Sequence, residues 1–314
     1  MDKCIEFLKN ILIKEDNILL SCSGGPDSMC LLKLLIDIRK EIGFKIIVAH
    51  VNHGVRDESS EEEVFVRDYC ALNDISFELL KIESYKGNFH NDARVIRYNF
   101  LDKLYKEYNC TKMFTAHHGD DLVETILMRI SRGSNLTGYI GFKNINKLND
   151  KEVIRPLIYT TKKDIIIYND TNNIPYRIDE SNNSLEYTRN KFRHLVLPNL
   201  KKIDENIHLK FLKFSEKLNE YDKFIESYID DHGLIEDKCI MIKKYNNESD
   251  FIKTRVIEKL ISLVQLDNEF YVTDNIILEI IKIINSQKGR CFINLPNGFI
   301  GKKENHKFYI EKSL

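Results

Sequence analysis

Short apolar runs alternate with longer amphipathic stretches through the first 120 residues of the chain. The runs at 17–22, 44–51, 77–82 and 112–117 have the length of strands, and the stretches between them place their apolar residues at helical spacing. Connections that long between successive strands demand crossovers, so the pattern predicts a parallel sheet with helices on both faces. Ligands of such a sheet bind beyond the carboxyl ends of its strands. Ser59 and Glu62 have the spacing of a capping box that opens a helix reaching Ala71, which leaves 52–60 as a loop at that edge. From 143 to 163 the pattern turns irregular and basic, with six Lys or Arg against two acids, and a helix resumes near Lys162. A domain boundary is expected near residue 200, giving domains 1–200 and 201–314. Beyond it, 205–231, 250–266 and 273–286 have helical periodicity, and 291–295 with 299–310 form a hairpin about Pro296-Asn297-Gly298. The expected class is α/β, followed by a smaller, mostly helical domain that ends in that hairpin.

Composition changes this picture little. At 314 residues the chain exceeds what one core usually serves, and 43% hydrophobic with 30% charged residues excludes wholesale disorder. A net charge of -1 names no partner. No apolar run is long enough to span a bilayer and the first ten residues lack a secretory core, so a cytoplasmic location with no membrane partner is expected. Seven scattered cysteines, never spaced C-x-x-C, indicate neither a disulfide framework nor a zinc ribbon.

Chemistry concentrates where strands should end. Ser23-Gly24-Gly25-Pro26-Asp27-Ser28 joins the first strand to a helix. Adjacent glycines let the backbone turn tightly against an anion, and Ser23, Ser28 and the helix-start N–H groups can donate to phosphate oxygens. The string is neither a Walker A loop nor a dinucleotide turn, and it lacks the Walker lysine, so it suits a phosphate other than the γ. His50 and His53, three apart about Asn52, have a spacing found in metal sites but read more simply as a polar loop. Arg94 and Arg97 share a helix face and can offer two planar cations to a phosphate, or merely form a solvated face. In His117-His118-Gly119-Asp120-Asp121-Leu122-Val123-Glu124 the acids either complement a helix dipole or receive a cation, which could be magnesium or an ammonium. From Tyr187 to Lys202 five basic residues (Arg189, Lys191, Arg193, Lys201, Lys202) occur with no acid, interleaved with aromatics as RNA-binding segments are.

SGGPDS resembles the PP-loop of ATP-pyrophosphatases, an adenine nucleotide alpha hydrolase-like fold, and HVNHGxR, ARxxRY, AHHxDDxxET, RPL, and D-x-SN with RNxxR resemble tRNA(Ile)-lysidine synthases, over residues 17–200. Arg132-Gly133-Ser134-Asn135 is similar to the family's RGSG string, with Asn135 in place of a glycine, where asparagine can take the left-handed conformation. Further departures are His90, where an acid is usual, and Lys163, where arginine is common. The overall length is that of the shorter members.

The resemblance implies that Ser23, Gly24, Gly25, Pro26, Asp27 and Ser28, with His50, Asn52 and His53, bind ATP, and that Asp27 is linked to Mg2+. It implies that Asp121 and Glu124 take free L-lysine, and that His117 serves the nucleotide or the reacting centre. Arg97 would oppose charge on the α-phosphate. Arg94, Arg132, Arg189, Lys191, Arg193, Lys201 and Lys202 would contact tRNA(Ile) with a CAU anticodon. The implied reaction adenylates the C2 oxygen of the wobble cytidine and then joins lysine at C2, releasing pyrophosphate and AMP. A homodimer is left open. Of the rivals, a thiolating tRNA enzyme usually needs paired cysteines, an amidating synthase needs a glutaminase, and a non-catalytic RNA-binding module has no use for Asp121 and Glu124.

Overall fold

A computed structural model describes residues 1–52, 54, 58–82, 89–148, 151–178, 188–264 and 273–312, with the backbone alone at 58–59, 89–92 and 148. The chain divides into two compact units, Met1–Leu218 and Asn219–Leu314.

The first unit opens with α1 (Asp2–Ile11), β1 (Asn17–Ser21), α2 (Pro26–Ile42), β2 (Lys45–Asn52), α3 (Glu58–Leu72), β3 (Ser76–Lys81) and α4 (Phe89–Glu107). It continues through β4 (Lys112–Phe114), α5 (Gly119–Ser131), α6 (Leu136–Tyr139), β5 (Ile145–Leu148), β6 (Lys151–Ile154) and α7 (Lys162–Thr171). After α8 (Thr188–Lys191) comes a π-helical turn, Phe192–Val196, then α9 (Leu197–Ile203) and α10 (Ile207–Asp231), a helix that runs across the division between the units.

The six strands are ordered β3-β2-β1-β4-β6-β5, all parallel except the antiparallel edge strand β5. Both faces are covered, as the near-continuous apolar strands require. In β1, Ile18 and Leu20 join the core that includes Leu31, Leu35 and Ile165, while Leu19 between them joins Leu101 and Leu104 of α4 on the other face. In β2, Ile46 and Val48 alternate with Ile47 and Ala49 in the same way.

Strands β1 to β4 match the expected runs to within a few residues, whereas β5 and β6 lie in the stretch 143–163 read from the sequence as irregular. Helix α3 begins at Glu58, ahead of the expected capping residue Ser59, whose side chain lies outside the described residues. Residues 201–218, read from the sequence as the start of the second domain, belong to the first unit. Tertiary contacts hold them there: Lys201 pairs with Asp120, Ser215 donates to the Ile140 carbonyl at 2.5 Å, and Leu212 packs with Leu122, Ile126 and Ile158.

The second unit adds β7 (Ile235–Glu236), β8 (Cys239–Met241), α11 (Ile242–Tyr245), α12 (Asp250–Val264), α13 (Asp274–Asn285), β9 (Arg290–Asn294), β10 (Phe299–Glu304) and β11 (Lys307–Lys312). The expected hairpin about residues 296–298 is β9–β10, with Asn297 and Gly298 left-handed. A second turn at Asn305 (φ 55) splits the expected long strand into β10 and β11, and β8 and β7 extend the sheet to five antiparallel strands. Strands of two and three residues are too short to leave a period of two in the sequence. Among the described residues no helix is long and apolar enough to cross a membrane.

Candidate active site

Four connections converge at the carboxyl ends of the parallel strands: β1 to α2, β2 to α3, β4 to α5, and β6 to α7. In the first, Gly24 is left-handed (φ 84), and an added Cβ there would stand 3.1 Å from Val66. Gly25 precedes α2 in extended conformation, Pro26 supplies the helical φ at its start, and no side chain caps the helix. The loop is held from within, because the Ser28 hydroxyl accepts from Ser23 N–H and donates to the Gly25 carbonyl at 3.0 Å, while the Ser23 hydroxyl accepts from Gly25 N–H. The first turn of α2 therefore presents backbone donors and its positive dipole end to the cleft.

His50 and Asn52 lie beneath this loop. His50 is 2% exposed with Nδ1 at 2.9 Å from the Cys22 carbonyl, and burial lowers its pKa, so it is a neutral support at ordinary pH. Asn52 donates to Glu63 at 3.0 Å and accepts from Gly54 N–H. His53 lies outside the described residues, as do Arg56, the Asp179–Asn182 string and Tyr187.

The β4–α5 connection is the most charged. His118 caps α5: its Nδ1 accepts from Asp121 N–H, and Asp121 accepts from His118 N–H at 3.0 Å. The His118 Nε2 lies 3.5 Å from Asp121 and 3.9 Å from Asp27, so this ring stands between the phosphate loop and the acids of α5. His117 points elsewhere, with Nδ1 at 3.0 Å from the Thr115 hydroxyl and its ring against Phe142. Burial lowers the His117 pKa to about 4, and the charges of Arg155, Arg189 and Arg97 add to that against the opposite pull of Asp121. A neutral imidazole can accept a hydrogen bond from a nucleotide or substrate group.

Each acid of this edge has a cation. Asp27 receives Lys162 Nζ on both oxygens, at 2.7 and 2.8 Å. Asp120, 2% exposed, receives Lys201 Nζ at 2.5 Å and Lys162 N–H at 3.0 Å. Glu124, 1% exposed, receives Arg189 Nε at 2.8 Å and Arg193 Nε at 2.7 Å, and both guanidinium groups reach on to Asp121 at 3.0 and 3.2 Å. Burial would raise the Asp121 pKa, but the adjoining His118 ring, the charge of Arg189 and the hydrogen bond from His118 N–H hold it well below the usual carboxylate range. The Glu124 hydrogen bond and charge in turn raise the Arg193 pKa against burial.

The seven expected RNA-facing cations thus separate. Arg189, Arg193 and Lys201 turn inward to carboxylates, whereas Lys191, Arg132 and Lys202 are exposed, the last with its ammonium 3.4 Å from the Asn199 side-chain oxygen. Arg94 and Arg97 both lie over the Tyr98 ring, at 5.0 and 5.5 Å. Asn135 does not take the left-handed conformation. Gly133 does so (φ 65), and Asn135 (φ -75) caps α6 by accepting from Gly138 N–H, because a polar side chain satisfies a helix start better than it tolerates positive φ. Sequence reasoning passed over His118, Lys162 and the inward role of Lys201. A signal existed for the second: Thr161 and Asp164 form a capping box, which sets Lys162 at the first position of α7 on the carboxyl edge.

The chain is similar to the bifunctional protein TilS/HprT of Listeria monocytogenes, 33% identical over an alignment 314 positions long that covers 96% of this chain and 48% of that protein. It is also similar to the tRNA(Ile)-lysidine synthase of Bacillus cereus, 39% identical over 235 residues, 72% of this chain and 49% of that one. The chain spans about half the length of the curated relatives it matches. Among solved structures, the U34-tRNA thiolase NcsA from Methanococcus maripaludis with its [4Fe-4S] cluster shares the fold, with a TM-score of 0.61 and 19% identity over 70% of this chain and 77% of that one. The family model described as the PP-loop domain matches residues 2–200, covering the loop, the acids of α5 and α7, and by that match the chain belongs to the PP-loop family.

Proposed function

We propose that this protein is a tRNA-modifying ligase that uses ATP to join lysine to the wobble cytidine of tRNA(Ile) with a CAU anticodon. The observation that carries the reading is the pair Asp121 and Glu124, two buried carboxylates beside the phosphate loop whose oxygens are already arranged to receive cationic nitrogen. The 39% identity to a tRNA(Ile)-lysidine synthase supports it.

In the first step the C2 oxygen of cytidine bonds to the α-phosphorus of ATP, the bond to the β-phosphate bridging oxygen breaks, and pyrophosphate leaves. Arg97, whose charge is felt at His117, opposes the charge on the α-phosphate. In the second step the ε-nitrogen of lysine bonds to C2, the C2–O bond breaks, and AMP leaves with that oxygen. The attacking amine must first lose a proton, and Asp121 and Glu124 would hold and orient that amine once it exchanges with a guanidinium.

Asp27 is the residue that would hold Mg2+. One carboxylate at an anion-binding loop fits that ion, which takes the rest of its shell from phosphate oxygens and water. Bound there, the ion would neutralise phosphate charge.

A thiolation reading has the shared fold of the thiolase in its favour. The cysteines favour lysine instead: Cys4, Cys22, Cys30, Cys70 and Cys110 are buried, burial pushes their thiols up, and among the described residues no three His, Cys, Asp or Glu gather as a ligand set. The deciding measurement is incubation with tRNA, ATP and radiolabelled lysine. Label in tRNA, with one AMP released per lysine, is the expected result. AMP release that depends on sulfide or ammonia, with no label in tRNA, overturns the reading.

A further inference from the structure

A phosphate loop without its own lysine still has to offset the charge of the pyrophosphate it binds, and Asp27 at the start of α2 makes that harder. Lys162 stands at this point. Its ammonium lies 2.7 and 2.8 Å from the two Asp27 oxygens, and among the described residues no other Lys or Arg pairs with Asp27. The side chain is 43% exposed, so its head is at the surface of the cleft and is not locked by packing.

Its backbone, in contrast, is fixed. The Thr161–Asp164 capping box starts α7 at Lys162, and Lys162 N–H donates to the buried Asp120. Helix α7 is also tied to the loop itself, since the fully buried Asn169 donates to the Pro26 carbonyl at 2.9 Å and Arg177 N–H, beyond the helix, donates to the Gly24 carbonyl at 3.0 Å. A flexible four-carbon stem on a rigid base can carry its charge from the Asp27 oxygens to an anion seated on the same loop.

We propose that Lys162 is a pyrophosphate-contacting residue: without nucleotide it neutralises Asp27, and with ATP bound its ammonium passes to the β- and γ-phosphate oxygens, supplying from α7 the cation that a Walker loop carries within itself. The proposal rests on the reading of the loop as an ATP site and not on the identity of the acceptor that follows.

The test is equilibrium binding of ATP, pyrophosphate and AMP to the full chain in chelator, without tRNA, for wild type, Lys162→Met, Lys162→Arg, Asp27→Asn and the double variant Asp27→Asn/Lys162→Met. Loss of a hydrogen bond to a charged group predicts ATP and pyrophosphate binding weakened about 10- to 100-fold in Lys162→Met, with AMP binding retained as the control for folding. Lys162→Arg should recover most of the loss, and a clear loss from Lys162→Met should persist in the Asp27→Asn background, though not of identical size because the two side chains are in contact. A ratio that collapses to one in that background would mean that Lys162 acts only by holding Asp27, and the proposal falls. Unchanged ATP binding, or an equal loss for AMP, overturns it too. None of these arms depends on lysine or tRNA, so a failed labelling assay and a failed Lys162 test remain distinguishable.

Discussion

Glu124 is 1% exposed and accepts three hydrogen bonds from Arg189 and Arg193, at 2.8, 2.7 and 3.0 Å. Removing its charge leaves two guanidinium groups facing one acid. Because both arginines are about one-third exposed, water offsets part of the penalty, and Glu124→Gln should cost about 2 kcal/mol in urea unfolding. The same variant should raise the lysine concentration for half-maximal transfer far more than that of ATP; equal effects would remove Glu124 from the lysine site. His117 gives a pH prediction. Its folded pKa, about 4, lies below the unfolded value of 6.5, so the fold binds fewer protons. The stability this contributes is full above pH 6.5 and is lost as pH falls towards 4. Urea midpoints measured across that range should fall less steeply in His117→Gln, and an unchanged slope would contradict the assignment.

At the scale of elements, α5 matters because one helix start carries His118, Asp121 and Glu124 together. Its approach to the β6–α7 connection depends on Gly119. A Cβ there would meet the His208 ring at 2.7 Å and the Ile158 and Thr160 carbonyls at 2.9 Å, and the Gly119 N–H already bonds the Thr160 carbonyl at 2.8 Å. Two of those neighbours are backbone and cannot turn aside, so Gly119→Ala should destabilise by about 1–3 kcal/mol in thermal or urea unfolding. It should also weaken ATP binding, because α5 and α7 share the Asp120–Lys162 contact. The π-helical turn at Phe192–Val196 has a comparable use: it brings Arg193 onto the acids that Arg189, one turn earlier, also reaches.

For the whole molecule, the inward turn of three cations changes which residues can meet RNA. Lys191 and Lys202 remain exposed, so replacing both by Ala should weaken tRNA binding and lower the salt dependence of the binding constant by about one to two counterions, with ATP binding unchanged. Retention of the full salt slope would place the RNA surface elsewhere. The parallel sheet, its carboxyl edge and the loop were legible in the sequence, since each is written locally: apolar runs in the strands, helical spacing between them, and glycines where the backbone turns left-handed. The second unit was legible in its helices and in the β9–β10 hairpin, but not in the turn at Asn305 or in β7 and β8, which are shorter than any period.

Which cation meets which acid was not legible, and the reason is physical. Residues 187–202 read as a basic stretch because a sequence shows charges but not their partners, and the partners of Arg189 and Lys162 lie 65 and 135 residues away. Local pattern determined that acids, histidines and a phosphate loop would share one edge of a sheet. Only the packing of α7, α8 and α9 against that edge decided that its carboxylates are held by Lys162, Arg189, Arg193 and Lys201, because burying a carboxylate demands a cation and the tertiary fold alone selects which one is within reach.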